Sequence, residues 1–567
     1  MHHSNGHPTQ RRTPLLVIAA VTTAALALTG CAPGNDEQPQ SGGIAVVSLV
    51  GEPGVLNPFF NTESSALISE AFVIEPLFTL LQNGTHEATL AASVPTIDSG
   101  GVSEDGLEIT FELRDGITWS DGEPFTAEDL AFTVDVAQNP DAAALPSPEY
   151  ASITGTEVID DLTLKVTLSK PELGYLELFR TTLPKHRFTS SAIGLDDPLV
   201  RLPLGTGPFV FDEWRSGDEI ILSANENYWL DPNLPHLDGV TIKITPDQQT
   251  ATAGFLAGDY DTMFFISGGD FPAIAEAVEE GAPFHLQIDK QQPGFVEYLW
   301  LNHSDQGNPA VGHPVLSDPA VREAIDLGID RETIVNELLD GMGVLSGAFI
   351  SSGFGSVWRS ATKYDPQAAA DVLEDAGWVL GPDGVRERDG VRASLRFQTI
   401  SGDQDRVLYQ QVIQQNLADL GIELTIDNVP AGQIFAPYEA GGLLATGDYD
   451  IIMSRDGRYA DPGLWVYTFA SISIPSEENG GQGFTYSHWR NAEYDELGYL
   501  ASITLDFDER AALLAQIDEL FVSERVAIPV FATVLGLAWS TSLEGVEARY
   551  WSGIWATDGT AHWSLAR

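Results

Sequence analysis

What the chain has little of narrows its chemistry first. It carries one cysteine in 567 residues, Cys31, so no intramolecular disulfide can form. Basic residues are scarce: 28 Lys and Arg stand against 82 Asp and Glu, a formal net charge of −54. A surface of that sign repels phosphate backbones, which sets nucleic acid aside as a partner and favours solubility. After the N-terminus no run reaches the roughly 20 apolar residues of a spanning helix. The most apolar, from Ala527 to Trp539, is broken by Pro529, Thr533 and Gly536. Catalytic signatures are missing as well. His86-Glu87 has Leu90 where H-E-x-x-H needs its second His, and neither G-x-x-x-x-G-K-[ST] nor G-x-S-x-G occurs. Ser360-Ala-Thr-Lys363 matches S-x-x-K without S-D-N or K-T-G, and His303, Asp305 and His313 lack a second ligand pair at metal spacing. Among 82 acids close carboxylate pairs are inevitable, so they give no support to a glycosidase. No catalysis, resident metal or cofactor is expected.

What is present begins with a targeting segment. Arg11 and Arg12 precede an apolar run from Pro14 to Leu28, the length of a signal-peptide core rather than a membrane span. Leu28-Thr29-Gly30-Cys31 follows and resembles the bacterial lipobox. That resemblance implies that residues 1–30 are a lipoprotein signal peptide and that Cys31 takes the lipid. Residues 31–42, polar and flexible, then serve as a tether. The mature protein is expected to be lipid-anchored and extracytoplasmic, on the outer face of the plasma membrane or in the periplasm.

Residues 202–244 organise the rest. Gly205, Gly207 and Pro208 punctuate the chain ahead of a strand-like run, Phe209-Val210-Phe211. Ser216-Gly217-Asp218 reads as a hairpin turn into a second strand. Asn225 to Pro235 reads as an aromatic loop holding Tyr228 and Trp229, and Val240 to Ile244 as a half-buried strand. Upstream, residues 43–50 read as a strand and residues 70–81 as a helix. Leu107, Ile109, Phe111 and Leu113 alternate with Glu108, Thr110 and Glu112, a strand that residues 164–168 can pair. Thr126 and Asp129 form a capping box for the next helix. Residues 248–257 read as a helix leading through Gly258-Asp-Tyr-Asp261 into a strand, and Gly447-Asp-Tyr-Asp450 leads into another. Two such units point to two lobes of similar αβ construction. Residues 295–302 read as a buried strand crossing between lobes, and Asp318-Pro319, Asp330 and Asp365-Pro366 open helices. Residues 395–400, 406–420 and 422–428 make an αβ layer, and residues 508–524 a last helix. Residues 526–531 are expected to return the chain to the first lobe. Trp539, Trp551, Trp555 and Trp563 make the C-terminus aromatic, as core packing explains.

In order along the chain, these strings resemble the family 5 extracellular solute-binding proteins, the peptide- and nickel-type receptors of ABC importers. The resemblance rests on G-T-G-P-F from Gly205, N-x-x-Y-W from Asn225 and P-x-L-D-x-V-x-I-x-I from Pro235. It extends to E-P-x-x-L-N-P from Glu52, L-R-D-G-I-T-W-S-D-G-E-P-F-T-A-E-D-L from Leu113, L-S-D-P-A-V-R-E-A-I-D-L-G-I-D-R-E-T-I-V from Leu316 and Y-D-P-Q-A-A-A-D-V-L-E-D-A-G-W from Tyr364. It implies an α/β, bilobal periplasmic-binding-protein-like fold (class II) with an extra domain, three domains in two lobes. Domain I would comprise residues 43–78, 205–290 and 527–567, domain II residues 79–204, and domain III residues 291–526. It also implies a monomeric substrate-binding lipoprotein that hands oligopeptides or dipeptides to ABC permease subunits for import. A non-peptide ligand (an oligosaccharide, a carboxylate-bearing small molecule or a metal chelate) is the alternative within the class. A lipid-anchored secreted hydrolase is the alternative outside it.

The resemblance also nominates ligand contacts. In the di- and oligopeptide binders an Asp three residues before an Asp-Pro pairs with the peptide amine. Here that place, within Arg455-Asp456-Gly457-Arg458-Tyr459-Ala460-Asp461-Pro462, is Arg458. An arginine cannot hold an ammonium group, so a free N-terminus is captured in the usual way only if Asp456 substitutes. Arg458 is expected to face the cleft and bind a carboxylate or carbonyl-rich ligand. The dipeptide binders' carboxylate-pairing Arg falls roughly at Thr399. Residues 60–64 are expected to line the cleft, with Thr62, Glu63, Phe435, Tyr438 and Trp465 as candidates by position.

Overall fold

The computed structural model describes residues 42–566 except 62, 82–84, 146–147, 267–270, 290–294, 306, 351–358, 457–461, 482, 484–486 and 548–558. Two large sheets carry the chain. The first has seven strands in the order Phe284–Asp289, Leu535–Ser540, Thr262–Ile266, Ile44–Val50, Gly239–Thr245, Glu219–Ala224, Phe209–Arg215. Strand Ile44–Val50 buries Ala45, Val47 and Leu49 and pairs in parallel on both sides. The second has six strands in the order Gly343–Val344, Ala527–Thr533, Val296–Leu301, Ile451–Asp456, Ser394–Gln398, Glu423–Ile426. Strand Val296–Leu301 is buried along its whole length because a core lies on each face. Leu299 and Leu301 join one core with Ile325, Leu373 and Ile413, and Tyr298 and Trp300 join the other with Trp465 and Phe521. Such two-sided burial replaces alternation by a near-continuous apolar run. A third, antiparallel sheet of Glu108–Glu112, Thr163–Leu168 and Ile153–Asp160 packs on helix Ala127–Ala137. Asp129 Oδ2 caps that helix by accepting the Thr126 N–H at 2.9 Å.

The repeated Gly-Asp-Tyr-Asp string has one structural job in both lobes. Gly258 (φ +82°) and Gly447 (φ +71°) each end a helix in the left-handed conformation. Asp261 Oδ2 then accepts the Val46 N–H at 2.8 Å, and Asp450 Oδ2 accepts the Arg396 N–H at 2.7 Å. Each acceptor lies just ahead of a parallel pairing, Val47 with Thr262 and Phe397 with Ile451. The aspartate thus locks the start of one strand to its parallel neighbour, once per sheet.

Two expectations need correction. Residues 70–81 do not form a helix: the helix is Ser64–Glu70, and Phe78–Leu80 is a strand paired with His86–Ala88. Glu75 precedes Pro76, which disfavours helical backbone there. The Phe72 and Val73 carbonyls moreover accept the N–H groups of Phe209 and Gly207, at 3.2 and 2.9 Å. The second correction concerns the return of the chain. Ala527–Thr533 pairs with Val296–Leu301 in the six-stranded sheet, and the chain reaches the other sheet only at Leu535. Pro529 is tolerated in that central strand because the register shifts beside it, between Glu297 and Tyr298, and its carbonyl accepts Arg331 Nε at 2.9 Å.

Candidate functional site

The register of the sheets locates the site. Leu535 lies opposite Asp289 and Gly536 opposite Ile266, the carboxyl end of strand Thr262–Ile266. In the other sheet Val296 lies opposite Asp456, the carboxyl end of strand Ile451–Asp456. Both passages of the chain between sheets therefore join carboxyl edges. They are bonded to each other where they cross: the Thr533 N–H donates to the Phe295 carbonyl at 2.8 Å, and the Phe295 N–H donates to Thr533 Oγ1 at 3.0 Å. Open α/β sheets take ligands in the crevice outside the carboxyl ends of their strands. Here two such edges meet at a double hinge. Among the described residues, the segments that follow those strands are residues 51–61 and 63 on one lobe and residues 399–403 on the other.

The first segment is tied to itself. Glu63 Oε2 accepts the Gly54 N–H at 2.8 Å and Asn61 Nδ2 at 3.1 Å, while Asn61 Oδ1 accepts the Glu63 N–H at 2.7 Å. Glu63 is exposed, with its carboxylate holding its own loop. In the second segment Thr399 is wholly buried: its N–H donates to Asn428 Oδ1 at 2.9 Å and its hydroxyl to the Met453 carbonyl at 2.8 Å. Trp465 is packed against Phe349 and Phe469, with ring centres 5.3 and 5.2 Å away. Core packing accounts for both residues. Phe435 is 47% exposed and Tyr438 half-buried, surfaces a ligand can reach. Asp456 ends its strand, Thr62 and Arg458 lie outside the described residues, and so does Cys31.

Two carboxylates lie outside the residues that the sequence nominates: Glu297, buried beside the hinge, and Glu75, half-buried. Glu297 takes Arg406 Nε on both oxygens, at 3.1 and 3.0 Å, and Nη2 at 2.6 Å. A lone charge inside V-E-Y-L-W-L was the available signal, since such a residue requires a partner. Glu75 lies where the chain leaves the seven-stranded lobe for the three-stranded sheet. Its carboxylate accepts Trp229 Nε1 at 2.7 Å, the Tyr228 hydroxyl at 2.9 Å and the Thr206 hydroxyl at 3.0 Å. Burial, opposed by these three donors, raises its carboxyl to about 7.

The histidines have local work. His313 Nδ1 accepts the N–H groups of Val315 and Leu316 at 3.1 and 2.9 Å, and burial pushes the His303 imidazole down to about 3. A cavity of ≈ 20 Å³ lined by Arg331, Thr362 and Pro529 among others has room for about one water.

Two α/β lobes hinged at the carboxyl edges of their sheets define a periplasmic-binding-protein-like fold, an architecture for enclosing a solute. The chain belongs to the bacterial extracellular solute-binding proteins, family 5: the family model described as family 5 Middle matches residues 88–473. It is similar to the oligopeptide-binding protein AppA of Bacillus subtilis, 27% identical over 438 residues, 73% of this chain and 76% of AppA. It is 26% identical to the glutathione-binding protein GsiB of Salmonella typhimurium over 78% of this chain and 81% of GsiB. The structure of AppA with a nonapeptide superposes with a TM-score of 0.71 and 24% identity, covering 94% of this chain and 100% of AppA. That of NikZ from Campylobacter jejuni with Ni(L-His) gives 0.72 and 23%, covering 92% and 99%. The structural likenesses show the fold. The protein is a substrate-binding component of an ABC importer and not an enzyme. Family members act outside the cytoplasm, and among the described residues no helix is long and apolar enough to cross a membrane.

Proposed function

We propose that this protein is a lipid-anchored receptor that captures peptides in the cleft at the Phe295–Thr533 hinge and delivers them to an ABC permease. The observation that carries the reading is the joining of two carboxyl edges by two hydrogen-bonded passages. The likeness to AppA, named for oligopeptides, supports the peptide as ligand. In this reading Cys31 bears the lipid, the mature chain is a monomer, and the domains are residues 43–78, 205–290 and 535–567, then 79–204, then 291–534. Glu63, Phe435, Tyr438, Asp456 and Arg458, with Thr62, line the cleft.

A second ligand class is favoured by one residue. Arg458 stands where the resemblance calls for an aspartate, so a carboxylate-bearing small molecule or chelate is the competing cargo. Native mass spectrometry of the purified chain, followed by ligand release, separates the two. A ladder of peptide masses is the expected result, with a smaller scattering radius when ligand is bound. One defined acid overturns the peptide reading. Neither a captured ligand nor any change of radius across peptide, sugar and chelate libraries overturns the receptor.

A further inference from the structure

The hinge carries a cation that no carboxylate among the described residues neutralises. Ile451 to Ser454 are buried, but the next residue of the strand, Arg455, is exposed. Its guanidinium carbon lies 5.2 Å from the centre of the Phe295 ring. Phe295 is in turn held by Thr533, so the arginine rests on the pivot itself. Directly across the strand pair stands Glu297, the natural partner, yet both its oxygens are taken by Arg406. Among the described residues Arg455 has no carboxylate partner. Elsewhere the chain's acids, nearly three for every base, meet many of its arginines: Arg215, Arg388, Arg392 and Arg396 each sit on one or two carboxylates, while Arg201 and Arg114 donate instead to the Ser216 hydroxyl and to backbone carbonyls. Against that excess, a guanidinium at the carboxyl end of its strand with no carboxylate among the described residues marks a place kept for an acid from outside.

We infer that Arg455 is a ligand-selecting residue, binding a carboxylate group of the cargo at the floor of the cleft. The physical case has three parts. Stacking on Phe295 holds the planar fork in place, so less side-chain freedom is lost on binding. Two parallel N–H donors match the two oxygens of a carboxylate. Arg406 alongside is already held by Glu297 and by Asp403, at 2.6 and 3.2 Å, so it does not compete for the ligand's carboxylate. Arg455 thus discriminates by charge, while the loops of the two lobes discriminate by shape.

This inference rests on the receptor reading, and the experiment separates the two. The full chain, Arg455→Gln and Arg455→Lys are each equilibrated with two matched libraries of di- to pentapeptides, one with free C-terminal carboxylates and one amidated. Low-mass dicarboxylic acids and their diamides are added as non-peptide probes. Bound members are identified by native mass spectrometry and their affinities measured by calorimetry. The wild type is expected to prefer the acids over their amides. Arg455→Gln is expected to lose about tenfold to a hundredfold in affinity for them, as a charged hydrogen-bonding partner warrants, and to keep its affinity for the amides. Arg455→Lys should fall between, having the charge without the fork. Its exposure means that Arg455→Gln should unfold at the wild-type midpoint without ligand. If the wild type captures probes but Arg455→Gln captures the same set equally tightly, the assignment to Arg455 is overturned and the receptor stands. If the wild type captures no probe of any class, both are overturned.

Discussion

Glu75 shows how one side chain explains two sequence strings at once. Its partners Thr206, Tyr228 and Trp229 come from the G-T-G-P-F and N-x-x-Y-W segments, more than a hundred residues away. Those residues therefore belong together because one carboxylate needs all three donors. With its carboxyl raised from 4.5 to about 7, the folded protein holds a proton between those two values that the unfolded chain has lost. Stability must then fall as pH rises from about 4.5 to about 7, and level off above. The effect of this one group is about 2 kcal/mol once discounted for the side chain's partial exposure. Glu75→Gln keeps an acceptor for Trp229 and removes the titration. Glu70, Asp129, Asp261 and Asp518 are also raised, burial being the main cause in each, so the test is the difference between proteins rather than the slope of either. Denaturant unfolding at pH 5.5 and 7.5, which spans a little over half of that range, should show the wild type losing about 1 kcal/mol more than the variant between the two. Equal losses would remove Glu75 from the account.

At the scale of elements, glycines separate what a sequence displays from what it conceals. Gly258 ends a helix at φ +82° with nothing within 4 Å of a built Cβ, a role that its place after an apolar-periodic run makes readable. A Cβ at Gly205 would lie 1.9 Å from the Val73 carbonyl oxygen, a clash visible only once two distant segments are packed. Gly258→Ala is expected to cost about 1 kcal/mol through backbone strain alone. Gly205→Ala collides with backbone that Gly207 also uses and should cost about 3 kcal/mol or more, read as a drop in the denaturation midpoint. Similar losses from the two would contradict the distinction. The same division runs through the whole fold. Alternation at Ile109, Phe111 and Leu113, and caps at Asp318, Asp330 and Asp365, were legible because they are local. The false helix over residues 70–81 arose because Phe72, Val73 and Leu77 are buried by a partner segment, and their spacing mimics a helical face. The lobe of Ala527–Thr533 was illegible because a strand buried on both faces reads the same in either sheet. For the site, the resemblance nominated residues by position, and Thr399 and Trp465 show its limit: both are near the cleft in sequence and in the core in space.

For the whole molecule, what matters is how the smaller body couples the two lobes. The three-stranded sheet is tied to the seven-stranded lobe at Glu75, and again where the Thr118 hydroxyl donates to the Asn227 carbonyl and Asn227 Nδ2 to the Ser120 carbonyl, each at 2.9 Å. It also reaches the other lobe. A Cβ built on Gly106 would lie 2.8 Å from Leu505 Cδ1 and 3.2 Å from the Pro171 side chain, so Leu505, between the last two long helices, packs against the edge of that sheet. This contact joins the three-stranded sheet to the lobe that carries the last two long helices. A contact of this kind that is lost when the lobes part favours the closed form of the free protein. Placing a carboxylate there, Leu505→Asp, forfeits a half-buried apolar contact of about 1 kcal/mol. The population of the closed, binding-competent form should fall about fivefold, and apparent affinity falls by the same factor. Calorimetry with a captured ligand should show that loss, and scattering from the ligand-free variant should give a larger radius than the wild type. Because Leu505 belongs to no core, the unfolding midpoint should stay where it is. An unchanged affinity together with an unchanged radius would mean that closure is governed at the hinge alone, and that the three-stranded sheet travels with its lobe as a passenger.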